Sequence, residues 1–161
     1  MIKYLATGLV AFLIYIIFSG NITPYDLATG VIVSAICSLL LTPYIVRNES
    51  KLKQPARLAH LAYYFLKYIT IIEFKAHMDV VKRIFTMDLK PGIVRIPLKC
   101  KGDMARLLVA SSITNTPGTV VVDESDDYFY VNWIYVFSVS PEEARKSVSE
   151  EFEKYATKIF E

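Results

Sequence analysis

The sequence predicts an α-helical membrane hairpin of two transmembrane helices, followed by an amphipathic interfacial helix and a small cytoplasmic α/β domain of order β-α-β-β-α. Three observations carry that reading. Up to Val46 the only charged side chains are Lys3 and Asp26, so all but one of the 18 Lys and Arg and all but one of the 16 Asp and Glu lie behind that point. Hydrophobic residues make up 53% of the 161, and a mean hydropathy of +0.36 is high for a soluble domain. Behind residue 90, short β-branched runs alternate with turn signals and give way to a charged helical segment. The expected division is 1–47 for the hairpin, 48–89 for a basic linker and the amphipathic helix, and 90–161 for the α/β domain.

The hairpin comes first. Tyr4 to Tyr25 is uncharged, and Leu5 to Phe18 is almost wholly apolar. Asn21, Pro24 and Asp26 make a short polar break. Leu27 to Val46 is again uncharged, and a run of about 20 residues at ~1.5 Å rise covers roughly 30 Å, one hydrocarbon core. A cleaved signal peptide is the alternative for the first run, but no small-x-small cleavage site is evident and a second apolar run follows closely. Arg47, Lys51, Lys53 and Arg57 crowd the end of the second run, whereas the turn between the runs has no Lys or Arg. The positive-inside rule therefore predicts a multi-pass protein of the cell membrane with both termini cytoplasmic. Gly30, Ser34 and Ser38 fall on one face of the second run, where small residues let another helix approach closely. That helix is either the first run or one from a partner subunit.

The segment from Leu58 to Phe85 has a different character. Leu58, Leu61, Ala62, Phe65, Ile69, Ile72, Ala76 and Val80 recur at helical spacing and predict one apolar stripe. Lys67, Lys75 and Lys82 fall away from it, and Tyr63, Tyr64 and Tyr68 cluster as rings do at a membrane interface. The segment reads as a helix lying along the cytoplasmic surface or wedged against neighbouring helices. Glu73 and His77 stand one turn apart at its edge. A structural pair, a proton-related pair and two ligands of a metal site are the three readings of that spacing, and the lack of further ligands in sequence weakens the last.

Lys90-Pro91-Gly92 is a turn, and Ile93 to Leu98 reads as a strand. Asp103 is the expected N-cap of a helix from Met104 to about Ser112. Thr116-Pro117-Gly118-Thr119 suits a type II turn, with proline presetting the first central position and glycine supplying positive φ at the second. Val120 to Asp123 and Tyr128 to Val136 read as two strands joined by an acidic turn, which lacks the spacing of a calcium loop. Ser140-Pro141-Glu142-Glu143 has the form of a capping box and opens a final helix.

No phosphate-binding loop, dinucleotide fingerprint, nucleophile elbow, HExxH motif or thiol-rich cluster is present. Catalytic, cofactor-binding and metal-ligating residues are therefore not expected, and the near balance of charge argues against a nucleic-acid partner. Cys37 and Cys100 fit no disulfide framework. A membrane-anchored ligand-binding or enzymatic domain would need a pocket behind residue 90. A free-standing carrier would need polar groups lining its spans, and the runs offer only Ser, Thr and Tyr.

Several stretches resemble one family. Leu107 to Asp123, with Ser111-Ser112-Ile113-Thr114-Asn115-Thr116-Pro117-Gly118-Thr119 at its centre, is similar to the LLANSITLTPGTLTVD stretch of the E-type component of Mrp-type cation/proton antiporters (MrpE, or MnhE). Lys90 to Leu98 is similar to that family's KPAIVKVPL run, and Tyr128 to Ile134 to its LYVHWL-like strand. Asn115 and Asn132 depart from the leucine and histidine common there. The resemblance covers essentially the whole chain. It implies a non-catalytic subunit, without cofactor, of a multisubunit Na⁺/H⁺ antiporter module. The partners implied are other antiporter-module membrane subunits and the lipid bilayer, with hydrogenase or sulfur-reductase subunits where the module is built into a ferredoxin-dependent respiratory complex.

Overall fold

The computed structural model describes residues 1–46 and 54–161. Arg47, Lys51 and Lys53, on which the predicted orientation leans, lie outside the described residues. The chain divides into two compact units, Met1–Gln54 and Pro55–Glu161.

The first unit is a helical hairpin. Helix α1 runs Ile2–Ser19 and ends at Gly20, whose φ of 68° is the left-handed conformation that glycine adopts without strain. Helix α2 runs Pro24–Ile45, beginning earlier than hydropathy alone suggests. The polar break is a capping box: Thr23 Oγ1 accepts from the Asp26 amide at 3.2 Å, Asp26 Oδ2 accepts from the Thr23 amide at 3.2 Å, and Pro24 sits in the first turn. Both helices are long and apolar enough to cross a membrane. The buried residues of α2 are Gly30, Ser34, Ser38 and Thr42, and they face α1. Ser38 Oγ donates to the Tyr4 carbonyl at 2.6 Å, and Tyr15 and Thr29 hydroxyls meet at 2.8 Å. A side chain at Gly30 would bring its Cβ within 2.8 Å of Tyr15 Cδ1, whereas one at Gly8 would meet Ser38 at an ordinary 3.5 Å.

The second unit opens with a long interrupted helix: α3 (Pro55–Lys67), a π-helical turn (Tyr68–Ile72) and α4 (Glu73–Thr86). Strand β1 (Gly92–Pro97), helix α5 (Asp103–Asn115), strands β2 (Thr119–Glu124) and β3 (Tyr128–Trp133), and helices α6 (Pro141–Val148) and α7 (Glu150–Phe160) follow. The sheet is antiparallel in the order β1-β3-β2, with Val94 opposite Val131 and Val121 opposite Val131 on its other side. A bulge at Val122 shifts the register, so Asp123 faces Tyr130. Val94, Ile96, Phe129 and Val131 point into one core with Val109 and Ile113 of α5 and Phe152, Ala156 and Ile159 of α7. Helix α5 packs on β2 and α7, α6 on β1, and α3 on α7.

Several local expectations are corrected. Gly102 rather than Asp103 caps α5, because Glu161 Oε1 accepts from the Lys101 and Gly102 amides at 2.6 and 3.0 Å just before the helix. Ser140 caps α6 without a side-chain bond, and its own amide is satisfied by Ser138 Oγ at 3.1 Å, so the reciprocal half of a capping box has no donor to receive. The final helix is two helices, pinned across Ser149 by a buried ion pair: Arg145 Nη1 to Glu153 Oε2 at 3.1 Å, with Ser149 Oγ donating to Glu153 Oε1 at 2.7 Å.

Removing one partner of a buried pair leaves the other charge uncompensated, typically about 3–5 kcal/mol. Glu153→Ala is expected to lower the stability of the full chain by that order in urea unfolding, with Lys154→Ala, exposed on the same helix, near neutral. In the first unit, Gly30→Val is expected to destabilise by about 1–3 kcal/mol through overpacking, and Gly8→Ala to leave the thermal unfolding midpoint in detergent nearly unchanged.

Candidate functional site

The residues singled out in the sequence fall into three places. Gly30, Ser34 and Ser38 belong to the hairpin seam just described. Glu73 and His77 belong to α4, and Thr116 to Thr119 to the turn that ends α5. The last two groups approach each other through Tyr68.

The turn explains its own composition. A helix leaves its last four carbonyls without intrahelical donors. Thr116 Oγ1 donates to the Ser112 carbonyl at 2.7 Å, and Thr119 Oγ1 to the Ile113 carbonyl at 2.7 Å. The Thr119 amide returns to the Thr116 carbonyl at 3.3 Å, closing the turn around Gly118 at φ 93°. A Cβ there would come within 2.9 Å of Ile134 Cγ2. Glycine is thus required both by the dihedral and by the space. Ser, Thr, Pro, Gly and Thr at this spacing end a helix and start β2.

Two tyrosines carry α3 and the π turn onto that helix end. Tyr64 is buried at 3% exposure, and its hydroxyl meets Ser112 Oγ. Ser112 Oγ donates to the Leu108 carbonyl at 2.7 Å, so the phenol is the donor to it. Tyr68 donates to the Ser112 carbonyl at 3.2 Å and lies 3.3 Å from Thr116 Oγ1. Their rings stack at tilted angles on Tyr155 and Phe152 of α7. Lys67 reaches Glu151 and the Tyr155 hydroxyl, so it faces α7 rather than solvent. Burial pushes the Tyr64 phenol up to about 12; burial, then the nearby Glu73 carboxylate, holds Tyr68 well above the usual phenol range. The expectation of interfacial tyrosines therefore fails for Tyr64 and Tyr68, which fill the core; only Tyr63 is exposed.

Glu73 begins α4 directly after the π turn, its amide donating to the Tyr68 carbonyl five residues back. Its side chain is mostly buried, and Oε1 has no hydrogen-bond partner. His77 Nδ1 lies 2.8 Å from the Glu73 carbonyl and 3.4 Å from Glu73 Oε2. The first distance assigns the Nδ1 proton to the backbone, and the ring is otherwise largely exposed. Among the described residues no group of three or more His, Cys, Asp or Glu could hold a metal ion. Cys100 is buried, and burial first of all raises its thiol to about 11. The acidic turn is engaged by Arg106, which pairs with Glu124 at 2.6 Å and donates to the Ser125 carbonyl at 2.7 Å.

The family model described as Na⁺/H⁺ ion antiporter subunit matches residues 8–159. The chain belongs to this family. Its relatives include the E-type component of the Na(+)/H(+) antiporter of Alkalihalophilus pseudofirmus, 28% identical over 156 residues, which covers 96% of this chain and 94% of the relative. The E1-type component of the Staphylococcus haemolyticus Na(+)/H(+) antiporter is 28% identical over 157 residues, covering 92% and 91% respectively. Among solved structures, a chain of the membrane-bound sulfane sulfur reductase, an archaeal respiratory membrane complex, superposes with a TM-score of 0.84 at 29% identity, over 98% of this chain and 99% of that one. Family membership therefore extends over both units, and the turn at Thr116–Thr119 lies within the matched span.

The Tyr64 contribution has a defined pH dependence. A phenol whose folded pKa is raised stabilises fully below its unfolded value near 10, and that contribution is lost as pH rises toward about 12. Thermal unfolding of the full chain is expected to weaken across that window. Tyr64→Phe should lose about 1 kcal/mol at neutral pH with the Ser112 bond, and should show a shallower alkaline decline, read as the melting midpoint against pH.

Proposed function

We propose that the chain is a non-catalytic accessory subunit of a multisubunit Na⁺/H⁺ antiporter module. Helices α1 and α2 cross the cell membrane as a hairpin with both termini on the cytoplasmic side, and the unit from Pro55 onward works on that side as an assembly and support element. The observation that carries the reading is family membership across residues 8–159, joined to a hairpin whose outward residues are apolar: Leu5, Leu13, Ile17, Val31, Ile36 and Leu39 are each at least half exposed. Such surfaces need lipid or other membrane helices to cover them. Likeness over nearly the full length to a chain of an archaeal respiratory membrane complex favours a module built into a respiratory assembly over a free-standing antiporter.

Glu73 and His77 serve structure in this reading. The carboxylate sits between the π turn and the Tyr68 phenol, and it belongs to the second unit, not to the apolar helices that would carry an ion route. Glu73→Gln is expected to leave both assembly and Na⁺/H⁺ exchange of the reconstituted complex unchanged. Lost exchange with intact assembly would assign Glu73 to an ion pathway instead.

The subunit reading is tested by mild-detergent extraction of the tagged native protein, size separation and mass spectrometry of what travels with it. Co-migration with large antiporter-like subunits is the expected result, and reductase or hydrogenase subunits in the same band would identify the assembly. Migration as a monomer or small homo-oligomer, under conditions that hold other membrane complexes together, overturns the reading in favour of an anchored domain with chemistry of its own.

A further inference from the structure

The single apolar stripe expected along the 58–85 segment is two faces. Leu61, Tyr64, Tyr68, Ile72, Ala76 and Val80 turn inward or are half-buried, whereas Leu58, Phe65, Ile69, Phe74, Val81 and Phe85 are exposed, Phe74 at 64% and Phe85 at 83%. The spacing of the exposed set is informative. Leu58, Phe65 and Ile69 follow steps of seven and four, and Phe74, Val81 and Phe85 repeat them. The step joining the two triplets, Ile69 to Phe74, is five, and it crosses the π turn at Tyr68–Ile72. In an uninterrupted α-helix a five-residue step would rotate Phe74 by roughly 140° from Ile69 and break the strip in two. The π turn absorbs the extra residue, on the inward side as well, where Glu73 bonds back to Tyr68. The outward strip is thereby kept continuous over roughly 40 Å of helix, although these six residues contribute nothing to the core of their own unit.

Charge along the strip is of one sign. Lys75 and Lys82 are exposed one heptad apart. The two acids of α3, the π turn and α4 are engaged elsewhere: Asp79 is held by Arg83 at 2.7 and 3.1 Å, and Glu73 turns inward. A strip of Phe, Leu, Ile and Val, with cations and no available acid of these helices along its margin, has the composition of a helix lying in an anionic interface. Nine residues of chain join Ile45 to Pro55, so attachment through α2 makes the encounter with the same leaflet intramolecular.

We propose that this face lies in the headgroup–acyl boundary of the cytoplasmic leaflet, with Lys75 and Lys82 meeting the phosphates of anionic lipids. The inference rests on the reading that α1 and α2 span the membrane and deepens it by naming the occupant of the exposed face.

The test uses the full chain with Cys37 and Cys100 replaced by serine and alanine. Single cysteines at Phe65, Phe74 or Val81 on the strip, at Lys75 on its margin, and at Leu13 in α1 carry an environment-sensitive fluorophore. The labelled chain is studied in nanodiscs containing phosphatidylglycerol, alone and in the co-purified assembly. Strip labels are expected to be quenched several-fold more by a shallow nitroxide lipid than by aqueous iodide, and the Lys75 label the reverse. Discs of phosphatidylcholine alone, or Lys82→Glu in the Phe74-labelled chain, should diminish the lipid quenching. Iodide quenching of the strip in both preparations overturns the proposal, as does protection from both quenchers in the assembly, which would assign the face to a protein partner. The Leu13 label separates the two levels. If a deep nitroxide lipid fails to quench it, the spanning reading has failed; if it is quenched while the strip is not, the inference alone has failed.

Discussion

The docking of Tyr64 and Tyr68 on the end of α5 is the interaction through which the second unit holds its parts together. A helix as apolar as α3 has more than one way to bury its side chains, and hydrophobic burial is not directional. The two phenols supply direction. Each must place a hydroxyl on a partner in a dry environment, and an unmade bond there costs about 1–3 kcal/mol. The acceptors, Ser112 Oγ and the Ser112 carbonyl, lie in the last turn of α5, where carbonyls are already in need of donors. One rotational setting of α3 satisfies both tyrosines, and Arg57 secures the start of the same helix by donating to the Ile159 and Glu161 carbonyls at 2.9 and 3.1 Å. The rest follows from that setting: Leu61 and Ile72 enter the core, and Phe65 and Ile69 are left outside it.

The Ser-Ile-Thr-Asn-Thr-Pro-Gly-Thr run therefore has a structural account independent of any chemistry. Ser112 receives α3, Thr116 and Thr119 close the helix end, and Gly118 reverses the chain into β2. Each residue type is demanded by a backbone group or by space. Motifs of this kind are easily taken for binding loops because Ser, Thr and Gly serve both purposes; here the hydroxyls are committed to carbonyls of the same turn.

The hairpin was legible because hydropathy and the absence of charge are properties of sequence alone. The α/β order was legible for a similar reason: β-branched runs and Pro-Gly turns act locally. What escaped depended on partners distant in sequence. Periodicity records that Leu58 and Leu61 are both apolar, but only Tyr155 and Phe152, some 90 residues on, determine which of the two faces inward. A π turn is a one-residue slip, visible as the five-residue step from Ile69 to Phe74 only once the faces are known. The capping signal at Ser140 was overridden by Ser138, two residues away, while Thr23 and Asp26 formed the box that hydropathy had passed over as a polar break. Glu73 and His77 were correctly placed within one helix, yet whether the carboxylate turned inward was set by Tyr68 across the π turn.

That turn joins the two halves of the problem. A π insertion is less favourable than regular α-helix and survives where surrounding structure fixes it. Packing of the inner face alone could be met by an α-helix lacking one residue, since Tyr64, Tyr68, Ile72, Ala76 and Val80 already follow four-residue steps. The inserted residue changes what lies opposite them: it carries Phe74, Val81 and Phe85 into line with Leu58, Phe65 and Ile69. An outer face kept continuous at the expense of helix regularity implies a covering surface that is itself long and flat. A bilayer leaflet has that shape. A globular partner, contacting a patch, would place no such demand on both ends of a helix roughly 40 Å long, at about 1.5 Å per residue.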